Sequence, residues 1–311
     1  MPLNCEVFMV LFLSTEGGKA MKSVQNEFEI WLFETGRAPR TIESYASDVK
    51  GFQRFLLEQL PEEEQPLSRF SFVSYKEFLV KHAYKINTVN KKINSLRVYN
   101  EFLRAEGVLA HDVVNLKRDK IFIDEGSIQD VTSLSETEVE KLLTFVEDRQ
   151  NSTLRNQLIV NLLLYTGLRV SELINIRLED IDFLTNHLQV VGKGGKWREI
   201  PLKSDVLVLL RSYIQKERSA SVFHQSEYLL LSQRAERLQR DAVRNWLTKI
   251  SGDLGFKLHP HKFRHTFCKM LTNRNVDLIT VSKLAGHSNL NMTKKYINTT
   301  REEKLNAINR L

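Results

Sequence analysis

Within the stretch His259–Tyr296, four residues could do chemistry together: the imidazoles of His261 and His287, the guanidinium of Arg264 and the phenol of Tyr296. Pro260 suits the first turn of a helix, where its missing N–H leaves no bond unmade. A helix from there puts His261 and Arg264 three apart on one face, so that both can reach one anion. Ala285, Gly286 and His287 read as a break between helices. From Met292 to Ile297 a helical pattern resumes on a polar segment carrying Tyr296, which leaves a phenol free to approach whatever the imidazoles and guanidinium hold. Taken singly, each of these residues has an ordinary explanation as a solvated surface or satisfied core side chain.

Two upstream features make the combination specific. Arg169 follows a Tyr165–Thr166–Gly167 turn that ends an apolar helix, and Lys193 sits in a Gly-rich turn between two short strands. An Arg after Thr-Gly-Leu, a Lys in a β-hairpin, His-x-x-Arg, a Gly-His pair and a Tyr nine residues beyond that His occur here in order. That order resembles the tyrosine recombinase (phage integrase) family, and in particular its compact Xer-like branch. The resemblance runs from about Met21 onward. Ala285 stands where Leu is usual, and Trp197 in the hairpin also departs from the commonest pattern, but neither is a reacting group.

The resemblance implies a reaction at a DNA phosphodiester, which resists attack because it is already anionic and its alkoxide leaves poorly. Arg169 and Arg264 would bind the nonbridging oxygens and offset the charge that builds as phosphorus becomes five-coordinate, with His287 as a third donor. Tyr296 would be the nucleophile, giving a 3′-phosphotyrosyl link and a free 5′-hydroxyl. Lys193 would protonate the leaving oxygen and His261 would assist proton transfer near Tyr296. Glu172, three residues after Arg169, either orients that guanidinium or is a helix-surface carboxylate. No cofactor and no metal are expected, because the covalent link conserves the bond energy and the arginines take the place of a divalent cation.

These groups must be positioned by a chain of 311 residues that is 42% hydrophobic and 27% charged, ordinary for a soluble protein with two domains. Residues 1–20 read as an N-terminal extension whose apolar run, Val7 to Leu13, is too short to span a bilayer and lacks a signal peptide's basic flank. Residues 21–107 read as an all-helical domain, with apolar residues at helical spacing from Phe28 to Leu56 and again at Val89, Ile93, Leu96 and Leu103. Between Lys76 and Arg104 seven bases face two acids. In the family this bundle is a SAM-like core-binding domain, so Lys91, Lys92 and Arg97, and the helix start at Arg40 and Thr41 followed by Tyr45, become candidate DNA contacts.

Residues 108–130 read as a linker, and about twenty extended residues reach ~60 Å or more, enough to pass along a duplex. The catalytic domain, 131–311, opens at a capping box of Ser135 with Glu138. It continues through an apolar helix after Leu154, a strand–turn–strand near 188–202, and helices near 203–217 and 237–252. The fold class is therefore mainly α with a small antiparallel sheet (α+β), which the resemblance extends to a two-domain, C-shaped DNA clamp. The tail after Tyr296 carries Ile297, Leu305, Ile308 and Leu311 at helical spacing and either packs on its own domain or docks into a neighbouring subunit.

The net charge of +7 fits a polyanionic partner. Two distant cysteines, Cys5 and Cys268, make neither a disulfide framework nor a metal site and fit a reducing compartment. The resemblance implies double-stranded DNA with inverted-repeat sites, a homotetramer on two such sites with room for a partner recombinase, no membrane, and a cytoplasmic, nucleoid-associated location. The product would be a recombined site reached through a Holliday junction. Two alternatives stand beside it: a type IB topoisomerase-like nicking and closing enzyme, and a DNA-binding architectural protein with an idle site.

Overall fold

The computed structural model describes residues 17–122, 133–192, 195, 197–287 and 293. The chain divides into two compact units at 128/129, each with its own hydrophobic core. Among the described residues no helix is long and apolar enough to cross a membrane.

The first unit is helical: α1 Gly17–Glu34, α2 Pro39–Gln59, α3 Arg69–Lys81, α4 Ile86–Ala105 and the short α5 Leu116–Asp119. Pro39 stands in the first turn of α2, and Ser68 caps α3 through a reciprocal bond with Ser71. The stripe Val89, Ile93, Leu96 and Leu103 of α4 is fully buried against Phe28, Phe52 and Phe72, and Phe28 meets the Tyr99 ring edge-on at 5.3 Å. Each such side chain contributes about 1.5–3 kcal/mol of burial. Residues after α4 continue on this core: Val108, Leu109, Val113, Val114, Leu116 and Ile121 all pack on it.

The second unit begins with α6 Glu136–Glu147, whose Ser135–Glu138 capping box forms as the sequence predicts. It continues with α7 Leu154–Thr166 and the single turn α8 Val170–Leu173. Strands β1 Ile181–Asp182, β2 His187–Val191 and β3 Trp197–Pro201 follow. The sheet is antiparallel in the order β1-β2-β3, with Leu188 opposite Ile200 and Val191 opposite Trp197. Then come α9 Ser204–Ser212, running on into a π-helical turn at Tyr213–Arg218, and α10 Arg240–Leu254, α11 Pro260–Asn273 and α12 Leu278–Ala285. Helix α7 is buried from Leu158 to Leu164 except at Asn161, and α6, α9 and α11 pack around it. This central helix ends where the site begins.

Candidate active site

Thr153 caps α7 by accepting from the Asn156 amide, and Gly167 ends the helix with φ of +62°. A side chain there would be strained in the left-handed region, and its Cβ would lie 2.3 Å from the Phe267 ring, so glycine is required on both counts. The chain then turns into Arg169 at the head of α8. Glu172 closes that turn: its carboxylate accepts from the Arg169 backbone N–H at 2.8 Å and from Arg169 Nη1 at 2.8 Å. Of the two roles the sequence left for Glu172, the geometry matches orientation of Arg169, because the residue is only 8% exposed. Burial alone would raise its carboxyl, but hydrogen bonds from Arg198 and Arg169 hold it below the usual carboxylate range.

Helix α11 opens with His259 accepting from the Lys262 amide and Pro260 in the first turn, as expected from the sequence. It carries Arg264, 5% exposed, with Nη1 donating to the Gly167 carbonyl at 2.7 Å. The second terminal nitrogen, Nη2, is buried and has no hydrogen-bond partner among the described residues. Such a donor is costly to leave unmet, by about 1–3 kcal/mol, and a phosphate oxygen is the partner its chemistry suits. Burial and the nearby charge of Arg169 lower its pKa to about 10, so the guanidinium stays charged. His261, one turn earlier, keeps an exposed face. Partial loss of water and the charges of Arg264, Arg244 and Arg169 lower its pKa.

Helix α12 is capped by Asp277 and ends at Gly286, with φ of +64°. The His287 amide donates to the Ser282 carbonyl at 3.0 Å, and His287 Nδ1 lies 2.8 Å from Thr293 Oγ1. Burial, then Arg264 and Arg169, push its pKa down to about 4, so the ring is neutral near pH 7. Arg169 Nη2 donates to the Gly286 carbonyl at 2.9 Å, which ties the three segments into one site. Arg169, Glu172, Arg264 and His287 are thus brought together, with His261 beside them. Lys193 and Tyr296 lie outside the described residues.

Sequence reasoning missed Arg198 of β3. Its guanidinium makes a forked bond to Glu172, at 3.1 and 2.8 Å, and its Nε donates to the Leu284 carbonyl at 3.0 Å. A signal was present: strand residues two apart share a face, and Arg198 stands two before the buried Ile200. A charge on the inward side of a short strand requires a buried partner.

The candidate DNA contacts of the first unit fall on two neighbouring helices. Asn94 of α4 donates to Tyr45 Oη of α2 at 3.3 Å, and Lys91 and Lys92 both reach the buried Asp48 of α2, at 2.9 and 3.2 Å. Arg40 is exposed and Thr41 half-buried at the start of α2. Arg97 pairs with Glu101 along α4 and is half-buried.

A mostly helical unit that gathers a buried and a half-buried arginine, a neutral histidine and a clamped carboxylate defines a site for an anionic oxygen centre. The chain belongs to the phage integrase family: residues 132–303 match the model of that family and residues 26–107 match its N-terminal SAM-like domain. It is a tyrosine recombinase, an enzyme that cuts and rejoins DNA at specific sites. It is 31% identical to the tyrosine recombinase XerC of Staphylococcus aureus over 280 residues, 87% of this chain and 89% of that protein. It is also 31% identical to the TnP I resolvase of Bacillus thuringiensis over 278 residues, 88% of this chain and 95% of that protein. Among solved structures it shares the fold of XerH site-specific recombinase in a post-cleavage complex with a palindromic difH substrate, with a TM-score of 0.72, 19% identity, and 99% and 97% of the two chains covered. These relatives do not favour the nicking–closing or architectural alternatives.

Proposed function

We propose that the chain recombines two inverted-repeat DNA sites by transesterification, with Tyr296 as nucleophile. The phenolic oxygen forms a bond to phosphorus while the bond from phosphorus to the 5′-oxygen breaks. The phenol's proton passes to the neighbourhood of His261, and Lys193 gives a proton to the departing 5′-oxygen. Arg169 and Arg264 hold the nonbridging oxygens, Glu172 fixes Arg169, and neutral His287 donates a third hydrogen bond. Residues 131–311 carry this chemistry. Residues 21–107 grip the duplex through Arg40, Thr41, Tyr45, Lys91, Lys92 and Arg97, and 108–130 connect the two. Four copies on two sites, inside the cell and associated with its DNA, would exchange strands through a Holliday junction, and the conserved bond energy makes the exchange reversible without a cofactor.

The observation that carries this reading is the buried Nη2 of Arg264, which has no partner among the described residues and lies beside Arg169, so that donors and positive charge converge where an anion would bind. The test is Tyr296→Phe on a nicked suicide substrate. The variant should bind DNA and trap no covalent complex; a protein-linked 3′ end formed by this variant would move the nucleophile elsewhere.

A further inference from the structure

Three guanidiniums surround Glu172 and differ in what their nitrogens do. Arg169 reaches Glu172 and the Gly286 carbonyl, and Arg264 has an Nη2 with no partner among the described residues. All three nitrogens of Arg198 are engaged with protein: Nη1 and Nη2 with the two oxygens of Glu172, and Nε with the Leu284 carbonyl. Its side chain is only 11% exposed. A guanidinium committed in this way is not free to bind phosphate, but it can fix the groups that do.

We infer that Arg198 is a positioning residue for DNA cleavage: it locks Glu172 against Arg169 and braces the Leu284–His287 turn, so that Arg169 and His287 are presented to the scissile phosphate as one unit. The inference rests on the recombinase reading of the site. Glu172 accepts from the Arg169 amide, from Arg169 Nη1 and from both ends of the Arg198 fork, so its two oxygens are tied on both sides and cannot rotate without breaking a charge-assisted bond. The fork comes from β3, the strand that follows the Lys193 turn, and the same guanidinium reaches the last turn of α12. Gly286 records the closeness of this contact, because a Cβ there would lie 2.7 Å from Arg198 Nη1. Arg198 therefore joins three segments distant in sequence: the Arg169 turn, the sheet and the His287 turn. Lysine at this position would keep the charge but lose the planar fork.

The experiment uses full-length protein and a nicked half-site built from the duplex that wild-type protein selects out of a randomised pool. Single-turnover cleavage is measured with an ordinary scissile phosphate and with a methylphosphonate, which lacks one nonbridging negative charge. Arg198→Ala should bind the half-site with unchanged affinity and cleave the phosphate roughly 10- to 100-fold more slowly than wild type. Its deficit relative to wild type should shrink on the methylphosphonate, because a less anionic centre depends less on a well-aimed Arg169. Arg198→Lys should show the same pattern, and it stands in if the alanine variant does not fold. Wild-type cleavage by the variants, or an equal deficit on both substrates as a general packing defect would give, overturns the inference alone. Wild-type protein that forms no covalent product overturns the recombinase reading and this inference with it.

Discussion

The Gly167 carbonyl accepts from Arg264 Nη1 at 2.7 Å, so the residue that turns the chain toward Arg169 also anchors the second arginine. Gly167→Ala should be severe, because it adds left-handed strain and drives a methyl into the Phe267 ring. A loss of roughly 2–4 kcal/mol is expected in denaturant unfolding, combining the αL cost with overpacking. Adding Phe267→Leu should recover the packing part and leave the dihedral part; full recovery would mean that the positive φ is not a constraint.

Lys193 is proposed to act on the leaving group. A 5′-bridging phosphorothiolate, whose sulfur departs without a proton, should restore cleavage by Lys193→Ala to near the wild-type rate on the same substrate. If Lys196→Ala is rescued and Lys193→Ala is not, the general acid is Lys196.

Lys91 and Lys92 share Asp48 but differ in exposure, their side chains being 54% and 17% exposed. Burial would raise the Asp48 carboxyl, yet bonds from Lys91 and Ser95 and the charge of Lys92 hold it low. Lys91→Ala should flatten the plot of log affinity against log salt by about one unit, the effect of one phosphate contact. Lys92→Ala should destabilise the first unit more than Lys91→Ala, by about 1–3 kcal/mol, since Lys92 is the partner of the buried carboxylate that is itself shielded from water. Equal slopes and equal melting for both variants would show that the two lysines are interchangeable.

The neutral His287 gives a pH dependence with a defined sign. An unfolded histidine takes up its proton near 6.5, whereas folded His287 does so near about 4. Between those values the unfolded state binds more protons, so stability falls as pH falls through the window. His261, lowered in the same direction, adds to the slope. Denaturation midpoints across the window should fall less steeply in His287→Gln than in wild type, and parallel curves would remove His287 as a source.

Much of this site can be read from the sequence because its signals are local. The Pro260 helix start, the Ser135–Glu138 capping box and the glycine stops at Gly167 and Gly286 each depend on residues within a turn of one another. Contacts across long sequence separations leave no such periodicity. Arg198 meets Glu172 across 26 residues and Leu284 across 86, and Lys92 meets Asp48 across 44. A basic helix face therefore reads as free charge although two of its lysines pair with a buried acid.

Arg264, whose Nη2 has no partner among the described residues while Nη1 holds the Gly167 carbonyl, serves the fold with one nitrogen and offers the other to an anion. A phosphate oxygen that takes this donor would bind the folded protein and not the unfolded chain, so DNA would reinforce the very helix that grips it. Met or Leu at 264 would remove that donor and also strip the Gly167 carbonyl of its partner, so the grip on an anion and the turn toward Arg169 would weaken together.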